Sequence, residues 1–164
     1  MVKVLTENET DAFISIRLKG LSESPISFAS SFEEGVDKTQ SYKNFKNRTD
    51  EYYTLGNFED GNLVGIVGFI REKKLKKKHK SLIWGMYVDP NYRNKGIAKR
   101  LLSEVIDRAK KLDGLSKIIL SVTQPQENVH KFYQSLGFEK YAVEKDAMRV
   151  GGKQIDEIFM SIQL

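Results

Sequence analysis

Residues 82–88, Leu-Ile-Trp-Gly-Met-Tyr-Val, run through Asp89-Pro90-Asn91-Tyr92 and the basic loop Arg93-Asn94-Lys95-Gly96 into Ile97-Ala98-Lys99-Arg100-Leu101-Leu102. The first seven residues are apolar, aromatic or β-branched and stop at a proline, which has no amide to continue a ladder, so they predict a buried strand. Downstream, Ile97, Leu101, Leu102, Val105, Ile106, Ala109 and Leu112 recur at helical spacing, with Lys99, Arg100, Glu104, Asp107, Arg108 and Lys110 on the other face. That pattern predicts an amphipathic helix to about Leu112. A helix start leaves about four amides without intrahelical partners and carries partial positive charge. Here a glycine and three cations, Arg93, Lys95 and Lys99, stand beside it, as a phosphate cradle requires. On composition alone an ordinary strand-to-helix turn with solvated cations fits equally.

The hexapeptide Arg93-Asn94-Lys95-Gly96-Ile97-Ala98 resembles the pyrophosphate loop of the GNAT superfamily of acyl-CoA-dependent N-acyltransferases: Gln or Arg, two residues, Gly, one residue, then Gly or Ala. The strand before it, the Val88-Asp89-Pro90 break and the helix after it strengthen the resemblance. Two other phosphate motifs, G-x-x-x-x-G-K-[ST] and G-x-G-x-x-G, are absent. A second segment, Gln126 to Phe138, is similar to another GNAT motif through Tyr133, Gly137 and Phe138. Val129 stands where that motif has Ala, and Gln126 where it has Asn, which bears on contacts to the pantetheine arm.

With 164 residues the chain is the size of one domain, and residues 1–164 are expected to form one. A composition 40% apolar and 30% charged is that of a soluble globular protein, with no apolar run long enough to span a bilayer. Acids near the amino terminus argue against an export signal. With no cysteine, disulfides and thiolate catalysis are excluded, and a cytoplasmic setting is expected. The net charge of +5 is local: residues 71–80 hold seven cations and one acid, leaving the remainder at −1. Such a run reads first as a solvated loop protecting a sheet edge, which argues against nucleic acid as a partner.

Along the chain, Val2 to Leu5 predicts a first strand. Thr6 or Asn8 is placed to cap a helix whose face carries Ala12, Phe13, Ile16, Gly20 and Leu21 and which ends before Pro25. A short helix is expected from about Thr39 to Asn47. Strands over Glu51–Phe58 and Asn62–Arg71 flank the turn Glu59-Asp60-Gly61, with Gly65 and Gly68 on opposite faces of the second. Ile118 to Thr123 is expected as a central strand, parallel to the strand at 82–88 through a right-handed crossover. A short helix over Asn128–Ser135, a strand to about Glu144, a turn at Gly151-Gly152 and a last strand over Asp156–Gln163 complete the reading. The fold class is therefore α/β with a mixed sheet, GNAT-like, of about seven mostly antiparallel strands with a central parallel pair and about four helices.

The resemblance implies acetyl-CoA as co-substrate, a small-molecule or peptide amine as acceptor, and direct transfer in a ternary complex with no metal. It assigns cofactor contacts to Met86, Tyr87 and Val88, to Arg93, Asn94, Lys95, Gly96, Ile97, Ala98 and Lys99, and to Asn128 and Phe132. A backbone amide near Met86 to Val88, on a splayed strand, would face the thioester oxygen. Tyr133 would protonate the departing thiolate; spacing alone makes it a packing tyrosine. In several family members a glutamate on the strand before the loop is the base. Residues 82–88 hold no carboxylate, and Glu51, Glu59, Asp60 and Glu72 are substitutes without a motif. In the family, the region after the first strand shapes the acceptor pocket; here it holds Phe28, Phe32, Tyr42 and Phe45, for each of which core packing is the commoner fate. His79 and His130 have no metal-ligand spacing. A longer acyl-CoA, or a non-catalytic module binding coenzyme A or an acidic partner, are the alternatives. The chain is expected to act as a monomer or homodimer without membrane association.

Overall fold

The computed structural model describes residues 1–164. Seven strands form one sheet in the order β1-β2-β3-β4-β5-β7-β6, where β1 is Val2–Val4, β2 Tyr52–Glu59, β3 Asn62–Arg71, β4 Lys80–Val88, β5 Lys117–Thr123, β6 Glu139–Val150 and β7 Lys153–Gln163. Only β4 and β5 pair in parallel. The helices are α1 (Thr10–Glu23), α2 (Lys38–Lys46), α3 (Ile97–Ala109) and α4 (Glu127–Ser135). The mixed sheet, its central parallel pair and the four helices are those expected from the sequence.

Helix α3 buries its stripe against one face of the sheet: Leu101, Leu102, Val105 and Ala109 are fully inaccessible and join Val67, Phe69, Ile118 and Met160 in the larger core. Each such leucine stabilises by about 1.5–3 kcal/mol through burial. The opposite face carries α1 and α2 over a smaller core of Leu5, Phe13, Ile16, Phe45, Ile66 and Tyr87. Gly65 and Gly68 do lie on opposite faces. A Cβ at Gly65 would meet Ile97 of α3 at 2.9 Å, and one at Gly68 would enter the Trp84 ring.

Several boundaries differ from the sequence reading. Thr6 caps a 3₁₀ turn, Glu7–Glu9, that precedes α1: its side chain accepts the Asn8 N–H while Glu9 accepts the Thr6 N–H at 2.8 Å. Ala12 is exposed rather than on the buried stripe. Helix α3 stops at Ala109, although Leu112 still packs on the core from the following turns. Strand β6 continues to Val150 through an irregularity between Glu144 and Met148, where Asp146 has φ +51°. Arg71 is no solvated member of the basic run. It is 9% exposed, pairs with Glu51 at 2.7 Å and donates to the carbonyls of Lys78 and Asp113.

Candidate active site

Strands β4 and β5 pair only from Lys80–Leu82 to Lys117–Ile119, then part. The cause lies in β4. Its pairing with β3 slips by one residue between Trp84 and Tyr87, and Gly85 sits there with φ +64°. This is a bulge of the kind that glycine accommodates, bending the strand and reversing its side-chain alternation. Ile83 therefore faces the α3 core, whereas Trp84 and Tyr87, three residues apart, both pack on the α1–α2 core. Beyond Leu82 the edge of β4 facing β5 has no ladder partner, so the amides directed that way open on the gap.

The gap is a cavity of about 580 Å³, walled by β4 from Ile83 to Val88, β5 from Leu120 to Thr123, α4, and the loop into α3. Met86, Tyr87, Val88, Arg93, Asn94, Gly96, Ile97, Ala98 and Lys99 line it, as do Asn128, Phe132 and Tyr133. Lys95 does not. Its ammonium lies 5.0 Å from the Tyr92 ring, and its carbonyl accepts from Arg100. Arg100 thus braces the loop instead of standing free on the outer face, bridging it to Glu59 at 3.0 Å.

At one end of the cavity α3 begins without a side-chain cap, and Gly96 takes the left-handed conformation, φ +74°. The first helical bond runs from the Arg100 N–H to the Gly96 carbonyl, so the amides of Gly96 to Lys99 have no helical acceptor. A Cβ at Gly96 would meet nothing nearer than Arg100 Nη1 at 3.7 Å, leaving the cradle open. Arg93 is tied back to the strand end, its Nε–H donating to the Val88 carbonyl at 2.9 Å. Free amides, a helix start, Arg93 and Lys99 fit a pyrophosphate.

Tyr133 projects from α4 between Phe132 and Phe138, 5% exposed, and burial pushes its phenol well above the usual range. The phenol is neutral at any physiological pH. Sequence reasoning missed Ser24, Ser27, Tyr92 and Thr123 on the same cavity. Gln126 lines it too, with its amide donating to Ser27 Oγ. No carboxylate lines this cavity. Glu51 and Glu59 are committed to Arg71 and Arg100, and Asp60 and Glu72 border neither this space nor its neighbour.

That neighbour is a smaller cavity of about 300 Å³ between α1, α2, β2 and Trp84, which lines both. Phe13, Phe45, Tyr52 and Arg17 contribute to it. Of the four aromatics expected between core and pocket, Phe45 is buried on the edge of this space and Phe28 lines the larger one, while Phe32 and Tyr42 are 49% and 44% exposed. Tyr87 donates to Glu23 at 2.5 Å, and Lys19 pairs with Asp89 at 2.7 Å, fastening α1 to the end of β4. His130 Nε2 lies 3.1 Å from the Thr123 carbonyl, and the His79 carbonyl accepts from Ser116 and Lys117. No group of three or more His, Cys, Asp or Glu side chains is arranged to hold a metal. No helix is long and apolar enough to cross a membrane.

Residues 22–138 match the model of the acetyltransferase (GNAT) family. N-acetylaspartate synthetase of Xenopus tropicalis is 37% identical over 78 residues, 48% of this chain and 28% of that protein. L-amino acid N-acyltransferase MnaT of Escherichia coli K12 is 28% identical over 113 residues, 69% of this chain and 65% of its own length. The chain thus spans less than two thirds of either relative. The solved structure of yncA from Salmonella typhimurium, with its cofactor acetyl-CoA, superposes with a TM-score of 0.88 at 20% identity, covering all of this chain and 93% of that one. With the family model spanning residues 22–138, most of the chain, the protein belongs to the acetyltransferase (GNAT) family.

Proposed function

We propose that this protein transfers an acetyl group from acetyl-CoA to a primary amine by direct attack, with both substrates bound at once. The observation that carries the reading is the parting of β4 from β5 over a cavity with an uncapped helix start at one end and a buried tyrosine on its wall. The amides of Gly96 to Lys99, with the Arg93 and Lys99 cations, would hold the pyrophosphate. Unpaired amides on the β4 edge near Met86 to Val88, held in place by the strand, would take up negative charge developing on the thioester oxygen. The acetyl-CoA in yncA, and the amino acids named for the curated relatives, support this donor and an amine acceptor.

Tyr133, kept neutral by burial, would give its proton to the departing thiolate. The attacking ammonium would lose its proton to water in the open cavity, since no carboxylate borders the larger space. The smaller cavity beyond Trp84 would hold the acceptor. A cytoplasmic setting, which the lack of cysteine fits, belongs to the same reading.

Acetyl-CoA calorimetry run beside a thiol-release screen over polyamines, amino acids, aminoglycosides and peptides tests it. Acetyl-CoA is expected to bind and at least one amine class to release free thiol. Binding without release from any class would make the protein a coenzyme A-binding module instead.

A further inference from the structure

Arg17, on the inner side of α1, carries a guanidinium that the fold leaves unpaired. Its Nη1 is shielded from solvent and has no hydrogen-bond partner. The group lies 4.4 Å over the Phe28 ring and beside the β4 bulge, where a Cβ on Gly85 would come within 3.5 Å of Nη1. The other buried atoms without partners, the Tyr53 hydroxyl, Asn57 Oδ1 and Thr123 Oγ1, are neutral. Burial lowers the Arg17 pKa, yet a guanidinium stays charged at any physiological pH. A half-buried cation with an aromatic face but no anion for a partner is unfavourable, and a site that keeps one gains by receiving an anion.

Three placements decide which anion. Arg17 lines the smaller cavity and not the larger, so the phosphates assigned to the Gly96 cradle are not its partner. It adjoins Gly85, one residue from the Met86 to Val88 edge where the thioester is expected. One strand residue spans about 3.3 Å, so an acceptor with its anion on Arg17 and its nitrogen at the thioester has the two groups close together, as in an α-amino acid. The remaining wall joins an aromatic and apolar side at Phe13, Leu21, Phe45, Tyr52 and Trp84 to neutral polar groups at Ser30, Ser41, Asn44 and Thr54, and Arg17 is its one cation. Its one acid, Asp37, is exposed and occupied in capping α2, accepting the Gln40 N–H at 2.8 Å.

We propose that the acceptor is a free α-amino acid with an apolar or aromatic side chain, whose carboxylate is held by the Arg17 fork while its amine faces the thioester. The inference rests on the acetyltransferase reading and adds its substrate class. A planar guanidinium suits a carboxylate because two parallel N–H donors meet two oxygens. A second carboxylate, as in aspartate, would meet no counter-charge on this wall.

The test is thiol release from acetyl-CoA with L-phenylalanine, L-phenylalaninamide, phenethylamine and L-aspartate, for the native protein and for Arg17→Met and Arg17→Lys. The native protein is expected to favour phenylalanine over its amide by about 10- to 100-fold in kcat/KM, the size of a hydrogen bond to a charged group. The amide's amine is the less basic and so the more available nucleophile, which makes that preference diagnostic of the carboxylate. Arg17→Met should bring the ratio near one with KM for acetyl-CoA unchanged, and Arg17→Lys should recover part of it. A native protein that uses the amide or phenethylamine as well as the acid overturns the inference without recourse to any variant and leaves the transferase reading standing. An unchanged ratio in Arg17→Met also overturns it, and a preference for aspartate overturns the apolar assignment. Silence on every amine tried here and in the wider screen overturns the inference together with the reading beneath it.

Discussion

Arg93 and Val88 are joined by a 2.9 Å hydrogen bond from the arginine Nε–H to the strand-end carbonyl, so the first cation of the loop is positioned by the strand that precedes it. The ring of Tyr87 lies 5.8 Å from the same guanidinium. Position and charge are thus set together, and the terminal nitrogens remain available to an anion. Arg93→Ala is expected to raise KM for acetyl-CoA by about 10- to 100-fold, the worth of a charge-assisted hydrogen bond, with little change in kcat. Steady-state kinetics with acetyl-CoA varied checks this; an unchanged KM would remove Arg93 from the cradle.

Tyr133→Phe keeps the ring that packs between Phe132 and Phe138 and removes only the hydroxyl. Loss of a general acid costs about 10²- to 10⁴-fold in rate, so kcat should fall by that order while calorimetry still records acetyl-CoA binding. Because burial raises this phenol, kcat should show no loss from Tyr133 ionisation across neutral and mildly alkaline pH. Turnover equal to the native protein's would restrict Tyr133 to packing.

How much of this was legible in the sequence depends on where the controlling interaction lies. The β4–loop–α3 unit could be read because its signals are local: an apolar run, a proline stop, a glycine, then a helical period. The bulge at Gly85 could not, because it reverses alternation within one strand and sends Trp84 and Tyr87 to the same face. Nothing local marks a glycine as a bulge rather than a packing gap. Arg17 was equally hidden. Its helix offers ordinary polar neighbours, and it is buried by Phe28 and bordered by Gly85, which arrive from elsewhere in the chain. Strand β6 was read too short because an exposed edge strand has no buried face to impose alternation. Lys95 matched the loop motif by position, yet its side chain turns back to Tyr92, three residues earlier, a matter of rotamer and not of spacing.

The capping box at the start of the chain gives a pH dependence. Burial alone would raise the Glu9 carboxyl, but the hydrogen bonds from Lys3 and Thr6 prevail and hold it at about 2, against 4.5 when unperturbed. A depressed folded value means that the contribution is complete above pH 4.5 and is lost as pH falls through about 2. Glu9→Ala is expected to cost about 1 kcal/mol near neutrality, the usual worth of such a cap, with the gap to the native protein closing between pH 4.5 and 2. Denaturant unfolding across that range measures it; a gap independent of pH would show that the carboxylate charge is not the cause.

Acetyl-CoA titrated calorimetrically into the native protein and into Gly96→Glu tests most directly whether the opening between β4 and β5 is the acyl-CoA site. At Gly96 the backbone is left-handed, so any side chain there adds strain of about 1–2 kcal/mol, and a carboxylate would also stand among the amides that are to meet the phosphates. Saturable binding to the native protein, abolished in Gly96→Glu while the far-ultraviolet circular dichroism is retained, is the expected result. Equal binding by both proteins, or none by the native one, would contradict it.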